Sequence, residues 1–391
     1  MKNIRVTNFG QIKKADINFG NLTLFVGPQA TGKSILLQLI KLSLDNKNIA
    51  LQSYEKGYFW EGDIDRFQEF FFGEGMNNIW NDDTKIYLDE QKIYFEDLFF
   101  SDIYDVRDNY DEFPEEDRLF FIPAQRVMTL EHGWPRSFSS FEIGDPYVVR
   151  DFSERLRLMI QQNFSALDIR DGIFPNFIHL SNELYKKIDK TIFHGASVEL
   201  KVAGMRKQFY IDINGSSLPF MAWSSGQREF MPFLLSFYWL TTTKKETEIT
   251  WVVIEEPEMG LHPQAILSVI LMCLELLNQG YKLIISTHSP VLLEAVWVIR
   301  FLQTENPDVK YLYQLFNLEP SPAMTALFEN ILKNKTFSTY YFDQQKDGVC
   351  VKDISTLDPG DLDSAIADWG GLTSFSSRAS EVVSQAVQEK A

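Results

Sequence analysis

The chain is poor in cysteine: Cys273 and Cys350 are the only two in 391 residues. Two thiols cannot build a disulfide framework or a cysteine metal cage, which points to a reducing, cytoplasmic setting. Apolar runs of the roughly 18 residues that a membrane span requires are missing as well. The longest candidates, Phe230–Leu240 and Ala265–Leu277, are broken by Pro232, Ser236 and Glu275. The first residues, MKNIRVTNFG, lack the apolar core of a secretion signal. Positive charge is in deficit, with 37 Lys and Arg against 54 Asp and Glu and a net charge of −17. That balance excludes a protein that coats nucleic acid non-specifically, although it leaves room for a local basic groove. Internal repeats and heptads long enough for a coiled-coil arm are absent too.

What is present is an ordinary globular composition, 45% hydrophobic and 23% charged. Alternation over Ile4–Val6 and Ile12–Asn18, then the apolar run Leu22–Val26, predicts three strands. A glycine-bounded loop follows, then a helix from about Lys33 to Leu44. From Asp45 to Arg118 the chain turns aromatic and then acidic. Asp102, Asp105, Asp108, Asp111, Glu112, Glu115, Glu116 and Asp117 read as a solvated acidic face, with a docking surface for a basic partner as the alternative. Leu119–Ile122 is a buried-strand signal ended by Pro123. Asp151–Ile160 and Ser181–Ile188 read as helices in a more basic stretch that holds Arg150, Arg155, Arg157, Lys186, Lys187 and Lys190. Val198–Val202 and Phe209–Ile213 alternate like a hairpin, with turn candidates at Gly204 and Asn214-Gly215. From Trp223 onward helices and strands alternate, which indicates parallel βαβ architecture. Thr339–Phe342 and Val349–Val351 are strand-like, and the Ser- and Ala-rich tail reads as frayed.

Four motifs carry chemistry. Gly27-Pro28-Gln29-Ala30-Thr31-Gly32-Lys33-Ser34 fits the P-loop pattern and stands between an apolar strand and a helix. Its glycines let backbone N–H groups wrap phosphate oxygens, and the helix N-terminus adds positive potential. Lys33 then reaches the β/γ-phosphates of ATP and the Ser34 hydroxyl ligates Mg²⁺. Trp251–Glu256 is an apolar strand ending in two carboxylates. At strand C-termini of a parallel sheet both would emerge beside the phosphates, Glu255 toward the metal and Glu256 as general base. Lys282–Thr287 is a further apolar strand, and it ends at His288, which the same placement sets toward the γ-phosphate. His132, His179, His194 and His262 are not spaced as a metal site. Trp223-Ser224-Ser225-Gly226-Gln227 opens an apolar helix, where Ser and Gly form an ordinary N-cap and also an anion seat.

In this order the motifs resemble the ABC-type ATPase heads. That group includes SMC and RecF proteins, long-armed double-strand-break repair ATPases, and OLD-like ATPases of bacterial defence systems. The resemblance runs from Gly27 to His288. It implies an α/β P-loop NTPase fold of the ABC-ATPase, SMC-head-like type, with a mixed α+β insertion between P-loop and signature. It divides the chain into 1–44, an insertion over 45–214, and 215–391. It further implies that Ser224, Ser225, Gly226 and Gln227 form the signature, which contacts the γ-phosphate held by another subunit's P-loop in a homo-oligomer. Glu256–Pro263 would cover the catalytic base and D-loop. Gln125, in Phe121–Arg126, is the candidate Q-loop glutamine that touches nucleotide and metal, with Arg126 or a structural turn as alternatives. Glu255 departs from the family's usual Asp by one methylene.

The compact, armless form resembles OLD-like ATPases and the ATPase half of the PARIS system. It implies a sensor or scaffold that controls a separate effector such as a Toprim nuclease. A RecF-type repair ATPase binding duplex DNA along the basic stretch is the competing reading. A transporter subunit does not fit the long insertion. Asp358, Asp361 and Asp363 read as a solvated turn rather than a nuclease site.

Overall fold

The computed structural model describes residues 1–60, 62–98, 117–164, 172–175, 180–203, 206–243, 247–305 and 307–388. The first hairpin is β1 (Asn3–Phe9) and β2 (Ile12–Asn18), followed by the fully buried β3 (Leu22–Val26). Next come β4 (Lys85–Leu88), β5 (Gln91–Ile93), β6 (Leu119–Ile122), and the short β7 (Leu130–Glu131) and β8 (Trp134–Pro135). The remaining strands are β9 (Ser197–Ala203), β10 (Arg206–Ile213), β11 (Ser216–Pro219), β12 (Trp251–Glu255), β13 (Lys282–Thr287), β14 (Phe337–Gln345) and β15 (Gly348–Asp353).

Ten of these form one sheet in the order β5-β4-β1-β2-β15-β14-β3-β13-β12-β6. Its two halves differ in kind. The run β14-β3-β13-β12-β6 is parallel throughout, whereas the β1-β2, β1-β4, β4-β5 and β14-β15 pairs are antiparallel. In the parallel half the register aligns Ile122 with Ile254, Glu255 with Ser286, and Thr287 with Val26. The strand ends that carry the P-loop, Glu255, His288 and Pro123 therefore meet at one edge of the sheet.

Helices cover both faces, which is why β3, β6 and β12 read as unbroken apolar runs. Successive residues go to opposite cores: Trp251 and Val253 face one, Val252 and Ile254 the other. Helix Lys33–Glu55 packs in the first core through Leu36, Leu37 and Ile40. Helices Ser225–Thr243, Pro263–Asn278 and Pro290–Glu305 pack in the second. Among the described residues no helix is long and apolar enough to cross a membrane.

Several expectations need correcting. The P-loop helix does not end at Leu44. Asp45 takes a non-helical φ of −126° and the helix resumes to Glu55. The side chain explains the kink, since its oxygens accept from the Arg118 and Leu119 backbone amides at 2.8 and 3.1 Å. Within the insertion region 45–214, β4, β5 and β6 are strands of the main sheet. Asp117 is not on a solvated face. It is 3% exposed and hydrogen-bonded by Lys41, Asn48 and Arg155. Asp102 to Glu116, the turn at Gly204, and His179 lie outside the described residues. The tail forms an exposed helix over Ser374–Gln388 rather than fraying.

Candidate active site

The P-loop needs backbone shapes that most residues refuse. Gly27 has φ +148°, and a Cβ there would lie 2.7 Å from the Phe342 carbonyl oxygen. β14 presses so closely that only glycine fits. Ala30 and Gly32 also have positive φ, and Gln11 Nε2 and the Thr31 hydroxyl brace the loop by donating to the Ala30 and Pro28 carbonyls at 3.1 and 2.8 Å. Pro28 and Gln29 form the exposed crest between them. Lys33 folds back onto the same loop, its ammonium donating to the Gly27 and Pro28 carbonyls at 2.9 and 2.7 Å. Burial lowers its pKa to about 8, and the carboxylates of Glu256 and Glu255 only partly oppose this.

Glu255 ends β12 at 2% exposure, and one of its oxygens accepts from the Ala124 amide at 3.2 Å. The other, Oε1, has no hydrogen-bond partner. Burial raises the carboxyl pKa, with the Ser34 hydroxyl and Ala124 amide opposing. Glu256 turns out of the strand at φ +43° and its amide donates to the Ser286 carbonyl at 2.9 Å. Its Oε1 lies 3.6 Å from His288 Nε2, and both side chains are about one-third exposed, at 34% and 30%. Hydrogen bonding to His288, then that residue's charge and Lys33, holds Glu256 below the usual carboxylate range. The candidate general base and the candidate sensor thus meet, next to the P-loop lysine.

Two residues do more here than the sequence indicated. Arg126, 1% exposed, donates to the Glu255 and Glu256 carbonyls and to the Glu229 carbonyl, each at 3.0 Å. It clamps the end of β12 to the helix that begins at Ser225. Gln125 is exposed at the start of the short 3-10 turn, and its side chain makes no hydrogen bond among the described residues. Glu258 was passed over within the D-loop stretch. Its Oε1 accepts from the Thr287 hydroxyl and the His288 amide, both at 2.7 Å, and so fixes where His288 leaves β13. A carboxylate two residues beyond Glu256 was the available signal.

The serine-glycine helix start has a reciprocal cap. Gln227 donates its amide to Ser224 Oγ at 3.3 Å, and its side-chain oxygen accepts from the Ser224 amide at 3.2 Å. Gln227 Nε2 also donates to the Ile192 carbonyl. Gly226 lies against the D-loop, where an added Cβ would come 2.9 Å from the Gly260 carbonyl oxygen. Within one chain, then, the serine-glycine cap rests on the loop that follows Glu256. Its helix lies across the sheet from the P-loop helix.

A family profile described as "AAA domain, putative AbiEii toxin, Type IV TA system" matches residues 22–294. The chain belongs to this AAA-domain family. The chain is also 24% identical over 345 residues to Endonuclease GajA of Bacillus cereus (strain VD045), a match covering 78% of this chain and 58% of that protein. The chain thus spans under two thirds of that relative's length. Two solved structures align at 11% identity and 90% of this chain. One is the SMC head bound to the C-winged helix domain of ScpA, with 96% of that chain covered and a TM-score of 0.44. The other is the SMC head domain from Thermotoga maritima, at 98% and 0.38.

The residues of this AAA domain suit the ion that its P-loop implies. A buried carboxylate with one unpartnered oxygen, beside the hydroxyl of Ser34, is a donor set for a hard cation that takes its other ligands from phosphate and water. Elsewhere among the described residues no group of three or more His, Cys, Asp or Glu is placed to hold a metal. Asp358 and Asp363 instead accept from the Gly360 and Ala365 amides in local turns.

Proposed function

We propose that the chain binds and hydrolyses ATP at a site completed by a second copy, and acts as a cytoplasmic switch over a separate effector. Gly27 to Ser34 would cradle the phosphates, with the Lys33 ammonium turning from its own loop to the β/γ-phosphates. Ser34 and Glu255 would hold Mg²⁺, with Gln125 as a further ligand at the same edge. The ion would supply charge neutralisation to the phosphates. Glu256 takes the proton of the attacking water, and His288 orients that carboxylate and the γ-phosphate.

The single observation supporting a shared site is the cis arrangement. The Ser224–Gln227 cap is seated on its own D-loop, and its helix is across the sheet from the P-loop helix. A neighbour's cap would have to complete the cradle. Glu256→Gln should therefore accumulate as an ATP-dependent dimer or larger assembly in size-exclusion with light scattering. An elution unchanged by ATP and Mg²⁺ removes this reading.

The effector arm rests on the resemblance to OLD-like and PARIS-type ATPases, and on similarity to an endonuclease. On this reading the chain acts in antiphage defence, with a partner such as a Toprim nuclease. The competing DNA-repair reading called on the basic middle stretch, and those cations are largely engaged. Arg150 is 0% exposed, Arg155 and Arg157 pair with Asp151 and Glu154, and Lys187 donates to the Phe316 carbonyl. Few phosphate contacts remain to them.

A further inference from the structure

A cavity of about 610 Å³ lies away from the P-loop, between hairpin β7–β8, strand β10 and helix Tyr147–Phe164. That volume is in the range of small-molecule sites. In a chain of net charge −17 its lining is of opposite sign: Arg136, Arg157 and Lys207 against the single carboxylate Glu131. Trp134 adds an aromatic wall. The cations are not equally committed. Arg157 is paired with Glu154 at 2.7 Å, and Arg136 lies over the Phe141 ring at 4.0 Å while donating to the Ser140 carbonyl. Lys207 has no ion pair among the described residues. An indole face beside several N–H donors selects an aromatic base joined to a phosphate.

The walls of this cavity connect to the catalytic edge. Arg126, the clamp on the Glu255 and Glu256 carbonyls, opens the 3-10 turn that runs into β7. The Arg136 amide donates to the Thr129 carbonyl at 2.9 Å, and Ser153 Oγ donates to the Thr129 and Arg136 carbonyls at 3.1 and 2.7 Å. On the other side, Gly133 fits so tightly against Phe220 that an added Cβ would lie 2.5 Å from the Phe220 Cβ. Phe220 in turn packs on Trp223, at 5.1 Å between ring centres, immediately before the Ser224–Gln227 cap.

We propose that this cavity is a second, regulatory nucleotide-phosphate site whose occupancy is transmitted to the catalytic edge through hairpin β7–β8. The transmission half rests on the ATPase reading above, and the binding half does not.

The test is fluorescence titration of the full chain carrying Lys33→Ala, so that the P-loop contributes no phosphate binding. The probes are a methylanthraniloyl-labelled GMP and a fluorescein-labelled 12-nucleotide single strand. Saturable binding of the GMP probe assigns a free nucleotide, and binding of the strand alone assigns a nucleic-acid phosphate. Either supports the site if Lys207→Glu and Arg136→Gln each weaken it about ten- to hundredfold, the worth of one charge-assisted contact. Melting curves check that both variants fold, and Lys207, without an ion pair, is the safer of the two. Neither probe saturating below about 1 mM, or both variants binding within about twofold, overturns the proposal. In the chain with Lys33 intact, the bound probe should change the ATP hydrolysis rate, and Lys207→Glu should abolish that change. A rate unmoved by bound probe overturns the transmission half while leaving the site. Absence of any ATP hydrolysis counts against the catalytic reading instead.

Discussion

Two clusters of buried charge sit on this molecule, and they are finished to different degrees. Around Lys41 every group is answered. The ammonium donates to Asp45, to Asp117 and to the Leu119 carbonyl, Asn48 donates to Asp117, and Arg155 bridges Asp117 and Asp151. At the edge that carries the P-loop, Glu255 is as deeply placed, Glu258 and Glu229 are half-buried, and the set is incomplete. Glu255 Oε1, Glu258 Oε2 and Glu229 Oε2 are buried without a hydrogen bond, the last of them 3.8 Å from Arg126 Nε. Satisfying polar groups is nearly obligatory inside a protein, so carboxylate oxygens left open beside the P-loop suit a ligand that completes them. The closed cluster pins the kink at Asp45 to β6. The open one keeps donors and acceptors in hand.

The sharpest way to break this contrast is to remove the central cation of the closed cluster. Lys41→Met leaves Asp45 and Asp117 buried without their ammonium, and should cost about 3–5 kcal/mol in urea denaturation. A loss under about 1 kcal/mol would show that the cluster is not closed in the sense described. At the open cluster the same measurement should barely move. Glu255→Gln is expected to change stability by no more than about 1 kcal/mol while lowering ATP hydrolysis by at least about 10²-fold.

Acid sharpens the contrast by sign. Burial pushes Asp117 up, but Arg155 and Lys41 outweigh it and hold its pKa below the ordinary value. Its contribution is complete above about pH 4 and is lost as pH falls through the lower folded value. Glu255 is raised by burial, so its contribution declines as pH climbs above the ordinary carboxylate value. Glu255→Gln should flatten that decline in a pH series of urea midpoints, and an unaltered series would contradict the assignment. The smallest expected effect concerns Lys33. With its pKa at about 8, ATP binding at pH 8 should take up roughly half a proton, which calorimetry in two buffers of different ionisation enthalpy would read. Heats that ignore the buffer would place the lysine elsewhere.

That the P-loop, Glu255-Glu256 and His288 share one edge of the sheet was legible in the sequence because each motif is local. The P-loop follows β3 directly, Glu255-Glu256 ends β12, and His288 ends β13, so strand direction alone brings them together. The α/β P-loop fold followed from the same alternation. Arg126 could be offered only as an alternative to Gln125, since its acceptors lie 103 to 130 residues away. Asp117 was misplaced for the same reason: seven neighbouring carboxylates suggested solvent, while its partners Lys41 and Arg155 are 76 and 38 residues distant. The ten-stranded order was also out of reach. β15 pairs with β2 across most of the chain, and no local pattern specifies that.

The contact between Gly226 and the Gly260 carbonyl has a consequence for how two pockets would behave together. With no side chain between them, the serine cap and the loop leading from Glu256 are in close contact, and a shift of one would carry the other. A cap drawn onto a neighbour's nucleotide would pull its own carboxylate into line at the same moment. Occupancy would then be cooperative, and the turnover curve sigmoidal in ATP.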